Sequence, residues 1–372
     1  MQRTIACMAL RVLHVGKYYP PSRGGIETHL AELCHGLVGK IDQLVVVAKD
    51  QGPTIRERID AVDVVRLRTL LRFGGAPVCP GLSQVMRDSR ADIIHVHLPN
   101  PAAVLSYLYA RHAGALVVTY HSDIVRQRVL GALFSPILHH FLDRADAIIA
   151  PTEYHIRNSS VLRKYEEKCR IVPYGMRVDT TPVNEEELLP TDALRPMILA
   201  VGRLVGYKGF DVLIHAMVRV DAHLIIVGDG PERAALEALI QRLGLRERVT
   251  MLGAVTNLRR YYNAARLFVL PSVSSNEAFG LVQLEAMAWG IPVVNTALPT
   301  AVPHVSLDGE TGKTVPPRDA EALGTAINEL LADERQCQRM GIAGRRRFSE
   351  RFGVETMAER ALDVYEEVAT GT

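Results

Sequence analysis

Two carboxylates stand close together in a segment that is otherwise apolar, NEAFGLVQLEAMAWGIPVV (276–294). Glu277 precedes the apolar run, and Glu285 lies within it. Because an isolated buried carboxylate is costly, we expect Glu285 to have a dedicated partner, such as a pair of vicinal hydroxyl groups that donate to it. The alternative is that Glu277 only caps a helix and that Glu285 is an unrelated exposed residue.

The same segment predicts the start of a helix that could bind an anion. The helix ends at Gly290, a residue that suits the left-handed conformation of a helix end. The first N–H groups of a helix have no partner within it, so the amides of Phe279, Gly280 and Leu281 are expected to face an anion. Glu277 would then stand beside a substituent of that anion.

Cations and glycines mark two further predicted helix starts. Arg203 and Lys208 in GRLVGYKGFDVLI (202–214) follow a predicted strand, an arrangement that suits a diphosphate. A lysine in a solvated first turn would look the same. Gly24 and Gly25 also stand between a strand and a helix, where they let the backbone approach a ligand closely, although a plain tight turn explains them equally well.

Histidines occur on two predicted strands. His121 stands where a strand gives way to a loop, and catalytic residues collect at such positions. His95 and His97 lie two residues apart on the preceding strand, and we interpret them as packing or helper residues. They could bind a metal, but no third ligand occurs at an expected spacing.

Parallel strands must position these residues. Continuous apolar runs predict strands that are covered on both faces, and they alternate with helical stretches. The segment 179–195, rich in proline and acidic residues, reads as a linker. The predicted fold is α/β, with two doubly wound Rossmann-like domains, 1–178 and 196–353, and a cleft at the carboxyl ends of their strands. A last helix, in 354–372, is predicted to cross back onto the first domain.

Composition limits the class of protein. The chain has 372 residues, of which 48% are hydrophobic and 23% charged, a balance typical of a soluble protein of two domains. The net charge of +2 argues against a nucleic-acid partner. Five scattered cysteines without a C-x-x-C pair indicate a reduced, cytoplasmic chain. No uncharged apolar stretch reaches the roughly 18 residues that a spanning helix needs.

Peripheral contact with an anionic membrane is a further expectation. The first 140 residues carry a surplus of Lys and Arg, although a solvated surface is the simpler explanation. The arginines that could touch anionic lipid are Arg72, Arg126 and Arg128. The last two stand at the start of 123–144, whose apolar residues form one stripe that we interpret as core. The stripe consists of positions 130, 133, 134, 137, 138 and 141.

Several motifs together resemble glycosyltransferase family 4, retaining enzymes with the two-domain GT-B fold. EAFGLVQLEAMAWGIPVVNT is similar to the family's pair of glutamates separated by seven residues. GGIETH, YHSDIVRQ, PYGMRVD, GRLVGYKGF and AARLFVLPSVSSNEAFG match the family in the same order along nearly the whole chain. The chain departs from many members in 295–312, where a glycine-rich loop and a glutamate are missing. This subgroup resembles enzymes of polysaccharide assembly, often mannosyltransferases.

The resemblance implies a role for each candidate in the second domain. Arg203 and Lys208 hold the donor diphosphate, and Glu285 accepts hydrogen bonds from the ribose hydroxyl groups. Glu277 and the amides of 279–281 contact the donor sugar and phosphate.

It also implies roles in the first domain and an overall reaction. Gly24 and Gly25 approach the phosphate, and His121 lies against the sugar near the reaction centre. The implied reaction moves a sugar, with GDP-mannose as the expected donor, to a glycan or lipid-linked saccharide through an α-glycosidic bond, without a metal or a further cofactor. The alternatives are a nucleotide-sugar epimerase of similar build and a non-catalytic nucleotide-sugar-binding subunit.

Overall fold

The chain divides into two compact units in the computed structural model. The first unit consists of Met1–Met176 with Gly353–Thr372, and the second is Arg177–Phe352. Most of the predicted linker lies outside the described residues. The structure describes residues 9–22, 24–73, 76–122, 128–184 and 195–371.

The first unit is built on an eight-stranded sheet. In spatial order its strands are β10 (Cys169–Ile171), β9 (Ala147–Ala150), β8 (Ala115–Tyr120), β7 (Ile93–Leu98), β1 (Arg11–Val15), β2 (Asp42–Lys49), β4 (Val62–Arg68) and β3 (Ile55–Ile59). The neighbours are parallel except β3 and β4. The direction of strand order reverses between β1 and β7, the place where doubly wound sheets bind ligands.

Helices and one small hairpin complete the first unit. They are α1 (Gly25–Gly36), α2 (Leu82–Asp88), α3 (Pro101–Ala110), α4 (Arg128–Asp143), α5 (Glu153–Asn158) and α13 (Val354–Thr370), with the hairpin strands β5 (Leu71–Phe73) and β6 (Ala76–Val78). Helix α13 buries Met357 and Tyr365 in the same core cluster as Val12 of β1 and Leu33 of α1. The last helix of the chain therefore completes the core of the first unit.

The second unit has a six-stranded sheet, parallel throughout. Its order is β13 (Val249–Gly253), β12 (His223–Val227), β11 (Met197–Val201), β14 (Leu267–Val269), β15 (Val293–Thr296) and β16 (Gly312–Val315). Its helices are α6 (Phe210–Ala216), α7 (Arg233–Arg242), α8 (Arg259–Ala264), α9 (Val282–Ala288), α10 (Val302–Val305), α11 (Ala320–Ala332) and α12 (Glu334–Arg351). Strand order reverses between β11 and β14, so residues that follow these two strands meet at one edge.

The predicted α/β class is confirmed, with two additions that the sequence did not predict. Strand β3 adds an antiparallel edge to the first sheet, and the pair β5–β6 forms a hairpin outside it. Both are short and carry arginine or proline among their apolar residues. They therefore lack the continuous apolar run by which the other strands were recognised.

The prediction that the stripe on α4 is core is wrong for part of it. Phe141 and Leu138 are buried in the core cluster, but Leu133 is 72% exposed and Ile137 is 37% exposed. Phe134 is partly buried against the same cluster, and the side chain at position 130 lies outside the described residues. The core therefore covers only part of the stripe. No helix in the described part of the chain combines the length and the apolar character that crossing a bilayer requires.

Candidate functional site

A buried ion pair lies at the centre of the second unit's candidate site. The Lys208 ammonium is 2.5 Å from Oε2 of Glu277, and the residues are only 9% and 8% exposed. The Ser272 hydroxyl, itself fully buried, donates to the same carboxylate oxygen at 2.9 Å. Close contact and a further hydrogen bond offset the cost of burying the two charges. Removing either partner would leave an uncompensated buried charge.

The backbone explains how two residues so distant in sequence meet. Lys208 ends a short 3₁₀ turn, and the next residue, Gly209, has φ 68°. A Cβ atom at Gly209 would lie 2.1 Å from the carbonyl oxygen of Pro271, so a side chain cannot be accommodated there. The amide of Val273 donates to the carbonyl of Tyr207 at 2.8 Å and fastens the same two segments together.

The two predicted diphosphate ligands differ in their surroundings. Lys208 is buried against Glu277, which rules out the alternative of a lysine in a solvated turn. Arg203 follows β11 and is exposed, and it forms no ion pair among the described residues. An anion would therefore meet one free cation and one cation that already has a carboxylate partner.

The predicted helix is present, but it begins later than expected and is therefore shorter. Gly280 has φ 74°, and a Cβ atom there would lie 2.6 Å from the Leu270 side chain. Leu281 immediately precedes α9, which begins at Val282. The side-chain amide of Gln283, which is fully buried, donates to the carbonyl of Phe279 at 2.9 Å and supports the bend before the helix. Gly290 has φ 71° after the helix, in agreement with its predicted role.

Because α9 begins late, the sequence misplaced Glu285. It was expected about two turns into the helix and lies in the first turn. It is half-buried, and burial raises the pKa of its carboxyl group to about 7, while the Tyr262 hydroxyl lowers that pKa. The Tyr262 hydroxyl is buried and makes no hydrogen bond of normal geometry with a described residue. The sequence did not identify Tyr262, which lies on α8, and no local pattern links it to Glu285.

Glu285→Gln is expected to change how stability depends on pH. The folded chain binds the Glu285 proton more tightly than the unfolded chain, so the free energy of unfolding falls as pH rises from 4.5 to about 7. Glutamine cannot ionise, so the variant should be the more stable protein above this range and should lose the advantage below it. Urea unfolding across the range measures the difference. A difference in stability that does not change with pH would contradict the raised pKa of Glu285. Tyr262→Phe removes the hydroxyl that lowers this pKa, so the fall in the free energy of unfolding should extend to higher pH.

In the first unit, the glycines stand where the sequence predicted. Gly25 is the first residue of α1, and Gly24 precedes it in an extended conformation. Both are exposed, but a Cβ atom at Gly24 would lie 2.2 Å from a carboxylate oxygen of Glu27. The Glu27 side chain thus folds back over the start of α1. A phosphate approaching Gly24 would have to displace this flexible carboxylate.

His121 lies directly after β8 and is buried rather than open to solvent. It is 3% exposed, and its Nδ1 is 2.5 Å from the Tyr174 hydroxyl. Its Nε2 is 3.4 Å from Nδ1 of His97. The sequence missed Tyr174, although it belongs to PYGMRVD, one of the motifs that carry the family resemblance, and it follows strand β10 closely.

His121 is one of five histidines that pack together in the first unit. His29 on α1 and His97 on β7 pack directly against it, and His14 on β1 and His95 on β7 pack against His97. All five are nearly or fully inaccessible. Burial lowers the pKa of His14 and of His29 to about 3, and it lowers the pKa of the other three well below the ordinary value. These imidazoles are therefore neutral at physiological pH.

His95 makes buried packing contacts, one of the two roles that the sequence predicted for it and for His97. Its Nδ1 lies 2.7 Å from the Tyr365 hydroxyl, and its Nε2 lies 2.7 Å from Oγ1 of Thr119. It therefore joins α13 to β7 and β8 through a buried hydrogen-bond chain. His97 instead faces His121, and Nε2 of His97 has no hydrogen-bond partner among the described residues.

Two family models match the chain, one for each half. The model described as Glycosyltransferase Family 4 matches residues 23–180, and the model described as Glycosyl transferases group 1 matches residues 185–347. The O-antigen chain mannosyltransferase C of Escherichia coli is 31% identical over 369 residues, covering 96% of this chain and 98% of the relative. D-rhamnosyltransferase WbpZ of Pseudomonas aeruginosa is 33% identical over 353 residues, covering 92% of each chain.

A third relative is named for its donor. It is the GDP-mannose-dependent alpha-(1-6)-phosphatidylinositol monomannoside mannosyltransferase of Mycolicibacterium smegmatis, 29% identical and covering 90% of this chain and 92% of the relative.

Solved structures resemble the whole chain in fold. Sucrose-phosphate synthase from Thermosynechococcus elongatus superposes with a TM-score of 0.79 at 24% identity, covering 98% of this chain and all of that one. Anabaena Alr3699/HepE in complex with UDP and glucose superposes with a TM-score of 0.78 at 20% identity, covering 96% and 99%. At these identities the likeness shows the fold alone.

Proposed function

Since the chain belongs to glycosyltransferase family 4 and has the GT-B fold, we propose that it moves a sugar from a nucleoside-diphosphate donor to a glycan or lipid-linked saccharide. We further propose that the reaction retains the anomeric configuration and that the donor is GDP-mannose. The mannosyltransferases among the relatives, one of them GDP-mannose-dependent by name, support this choice of donor.

The observation that carries the proposal is the buried Lys208–Glu277 pair beside the exposed Arg203. An ammonium has three N–H donors, so Lys208 can bond a phosphate oxygen while it keeps its bond to Glu277. Arg203 can add a bidentate contact to the same diphosphate. These cations would stabilise the charge that develops on the leaving diphosphate as the bond to the sugar breaks.

Glu277 is well placed to bind the sugar next to that diphosphate. Its contacts with Lys208 and Ser272 both use Oε2, so within the described chain Oε1 remains available to accept a hydrogen bond from a sugar hydroxyl. The neighbouring amides of Phe279, Gly280 and Leu281 would contact the phosphate and sugar. Removing the ammonium would leave this carboxylate buried without its counter-charge, which explains why the two residues occur as a pair.

The remaining candidates are assigned to the ribose, the phosphate and the sugar of the donor. Glu285 would accept hydrogen bonds from the ribose hydroxyl groups, a role in which the ionised carboxylate is the stronger acceptor. Gly24 and Gly25 would let the backbone approach the phosphate. His121 would contact the sugar, and since both of its nitrogens face partners, the ring must release Tyr174 or His97 to do so.

Incubation with a panel of sugar nucleotides, with and without an acceptor, tests the function itself. A transferase releases nucleoside diphosphate in proportion to the glycoside formed. An epimerase would produce an isomeric sugar nucleotide, and a non-catalytic binding subunit would change nothing. The Lys208–Glu277 pair favours an enzyme over a non-catalytic subunit, because breakdown of the donor is the step that needs a diphosphate leaving group to be stabilised.

The product is expected to be α-linked, and the activity is expected to survive excess EDTA. Lys208 and Arg203 can offset the charge of the departing diphosphate without a metal ion. No candidate carboxylate is assigned to the opposite face of the sugar as a nucleophile, so departure and attack would share one face. An NMR spectrum of the product reports the anomer. A β-linked product, or activity that returns only with added Mn²⁺, would overturn this assignment.

Weak binding to anionic vesicles at low salt is expected as well, by contact of the first unit with the lipid surface. Leu70 and Leu71 at the β5–β6 hairpin are 62% and 50% exposed, and Arg72 beside them is exposed. Arg72 also pairs with Asp50 at 2.6 Å, which reduces its attraction to lipid. Arg126 lies outside the described residues, and the structure does not describe the side chain of Arg128.

Arg72→Ala is expected to weaken vesicle binding by about 1 kcal/mol, roughly fivefold. Cosedimentation with vesicles of neutral or anionic lipid at two salt concentrations measures the effect. Arg219→Ala, at an exposed arginine of the second unit that also pairs with a carboxylate, is the matched control. Equal sedimentation with both lipids at low salt would exclude the contact.

A further inference from the structure

We propose that three buried histidines of the first unit, His29, His97 and His121, form a binding site for one divalent transition-metal ion such as zinc. The site is separate from the cations assigned to the donor diphosphate, which belong to the second unit.

Nitrogen positions support the proposal. One ring nitrogen from each of the three histidines lies within 4.8 Å of the others. The Nδ1 of His97 and the Nε2 of His121 are 3.4 Å apart. Zn–N bonds of about 2.0–2.1 Å in a tetrahedral site place two ligand nitrogens about 3.3–3.4 Å apart. Two ligands are therefore already at the required separation, and the third, from His29, lies within 4.8 Å of both.

Unsatisfied polar atoms point to the same place. Neither nitrogen of His29 has a hydrogen-bond partner in the described chain, and His29 is only 2% exposed. Both nitrogens of His14 lack a partner as well. Buried polar groups without a partner are rare and costly, and a bound ion is one of the explanations that they call for. Neutral imidazole is also the form of histidine that binds zinc.

A second triad, His14, His95 and His97, satisfies the same distance limit but fits a metal less well. Both nitrogens of His95 are engaged, by Tyr365 and by Thr119. To bind a metal, His95 would have to break one of these buried bonds. In the first triad, Nδ1 of His97 and Nε2 of His121 face each other, and His29 has no hydrogen-bond partner in the described chain. A metal on these three residues would therefore not have to break a bond to another buried group.

Tyr174 supplies the outer contact that metal-bound histidines commonly have. Its hydroxyl lies 2.5 Å from Nδ1 of His121, so Nδ1–H can donate to it and Nε2 then carries the lone pair that faces His97. The Tyr174 ring centroid is also 4.3 Å from that of His29, which confines the His29 ring. With three protein ligands, the fourth position of a tetrahedral ion would hold water or hydroxide.

Metal binding would have a consequence for the reaction. A metal on Nε2 and Tyr174 on Nδ1 leave His121 no nitrogen for the donor sugar. Bound zinc should therefore inhibit transfer while nucleoside-diphosphate binding in the second unit is unchanged. This consequence rests on the proposed function, whereas metal binding itself does not.

Metal content decides the binding question. Full-length, tag-free protein is produced in zinc-supplemented medium, because ligands this deeply buried exchange slowly, and is then desalted with EDTA. About one equivalent of zinc per chain is expected. His29→Gln and His97→Asn should lose it, and His215→Ala, at an exposed histidine of the second unit, should keep it. Wild-type protein without zinc, or folded ligand variants that retain it, would overturn the proposal.

Tyr174→Phe tests the site without removing a ligand. It keeps the buried ring and deletes only the hydroxyl, so competition with a chelating dye should show zinc affinity about 10- to 100-fold weaker. An unchanged affinity would overturn the assignment of His121 as a ligand, as would full transferase activity of the zinc-loaded protein. If neither loaded nor metal-free protein transfers sugar, the proposed function fails, and the zinc content still decides this inference.

Discussion

Lys208→Met is expected to weaken nucleoside-diphosphate binding about 10- to 150-fold and to lower the free energy of unfolding by about 3–5 kcal/mol. The first effect follows from the loss of a charge-assisted bond to phosphate. The second follows because Glu277 is left buried without its counter-charge. Titration calorimetry measures the first quantity, and urea unfolding measures the second.

Two companion variants separate the effects. Lys208→Met combined with Glu277→Gln removes both charges, so it should recover most of the stability and none of the affinity. Arg203→Ala should lose a similar affinity at unchanged stability, because Arg203 is exposed and has no ion pair in the described part of the chain. Unchanged affinity in both the Lys208 and Arg203 variants would remove these cations from the donor site.

Glu277→Gln is expected to lower kcat about 10- to 150-fold with a smaller change in donor KM, whereas Glu285→Gln should mainly raise the donor KM. Glu277 is assigned to the sugar, where charge changes during the reaction, and an interaction that strengthens in the transition state acts on kcat. Glu285 is assigned to the ribose, whose contacts are the same in the ground state and the transition state.

Steady-state kinetics with the donor varied at saturating acceptor distinguishes these outcomes. Glu321→Gln, at an exposed glutamate that pairs with Arg219 on the surface, is the matched control and should change neither constant. Unfolding of Glu277→Gln must be measured alongside, because this variant leaves the Lys208 ammonium without its carboxylate. The reverse kinetic pattern would mean that the two glutamates have exchanged roles.

The sequence by itself determined the fold class and the places at which chemistry was to be sought. Continuous apolar runs identify strands that are covered on both faces, and such strands need helices between them to return in parallel. Turn glycines are equally local signals, as Gly290 with φ 71° shows. Hydropathy along the chain, which is independent of tertiary contacts, also predicted no membrane-spanning helix, and none occurs among the described residues.

Local pattern was less reliable for which face of a helix is covered. The apolar stripe on α4 has a helical period, but the period says only that the residues share a face. How much of that face is buried depends on what packs against it, and Leu133 and Ile137 are exposed although Leu138 and Phe141 of the same stripe belong to the core cluster. Glu285 was misplaced for a related reason, since the turn at Gly280 delays the start of α9.

Tertiary structure alone decided which polar groups are partners. Lys208 and Glu277 meet because Gly209, which has no side chain, lets the backbone approach Pro271 closely. The histidine cluster forms because β1 and β7 are neighbours in the sheet and α1 packs over them. Sequence spacing cannot reveal such contacts, because residues on adjacent parallel strands are separated by a whole crossover helix. A search at short spacing therefore could not find the proposed metal site, whose ligands would come from α1, β7 and the end of β8.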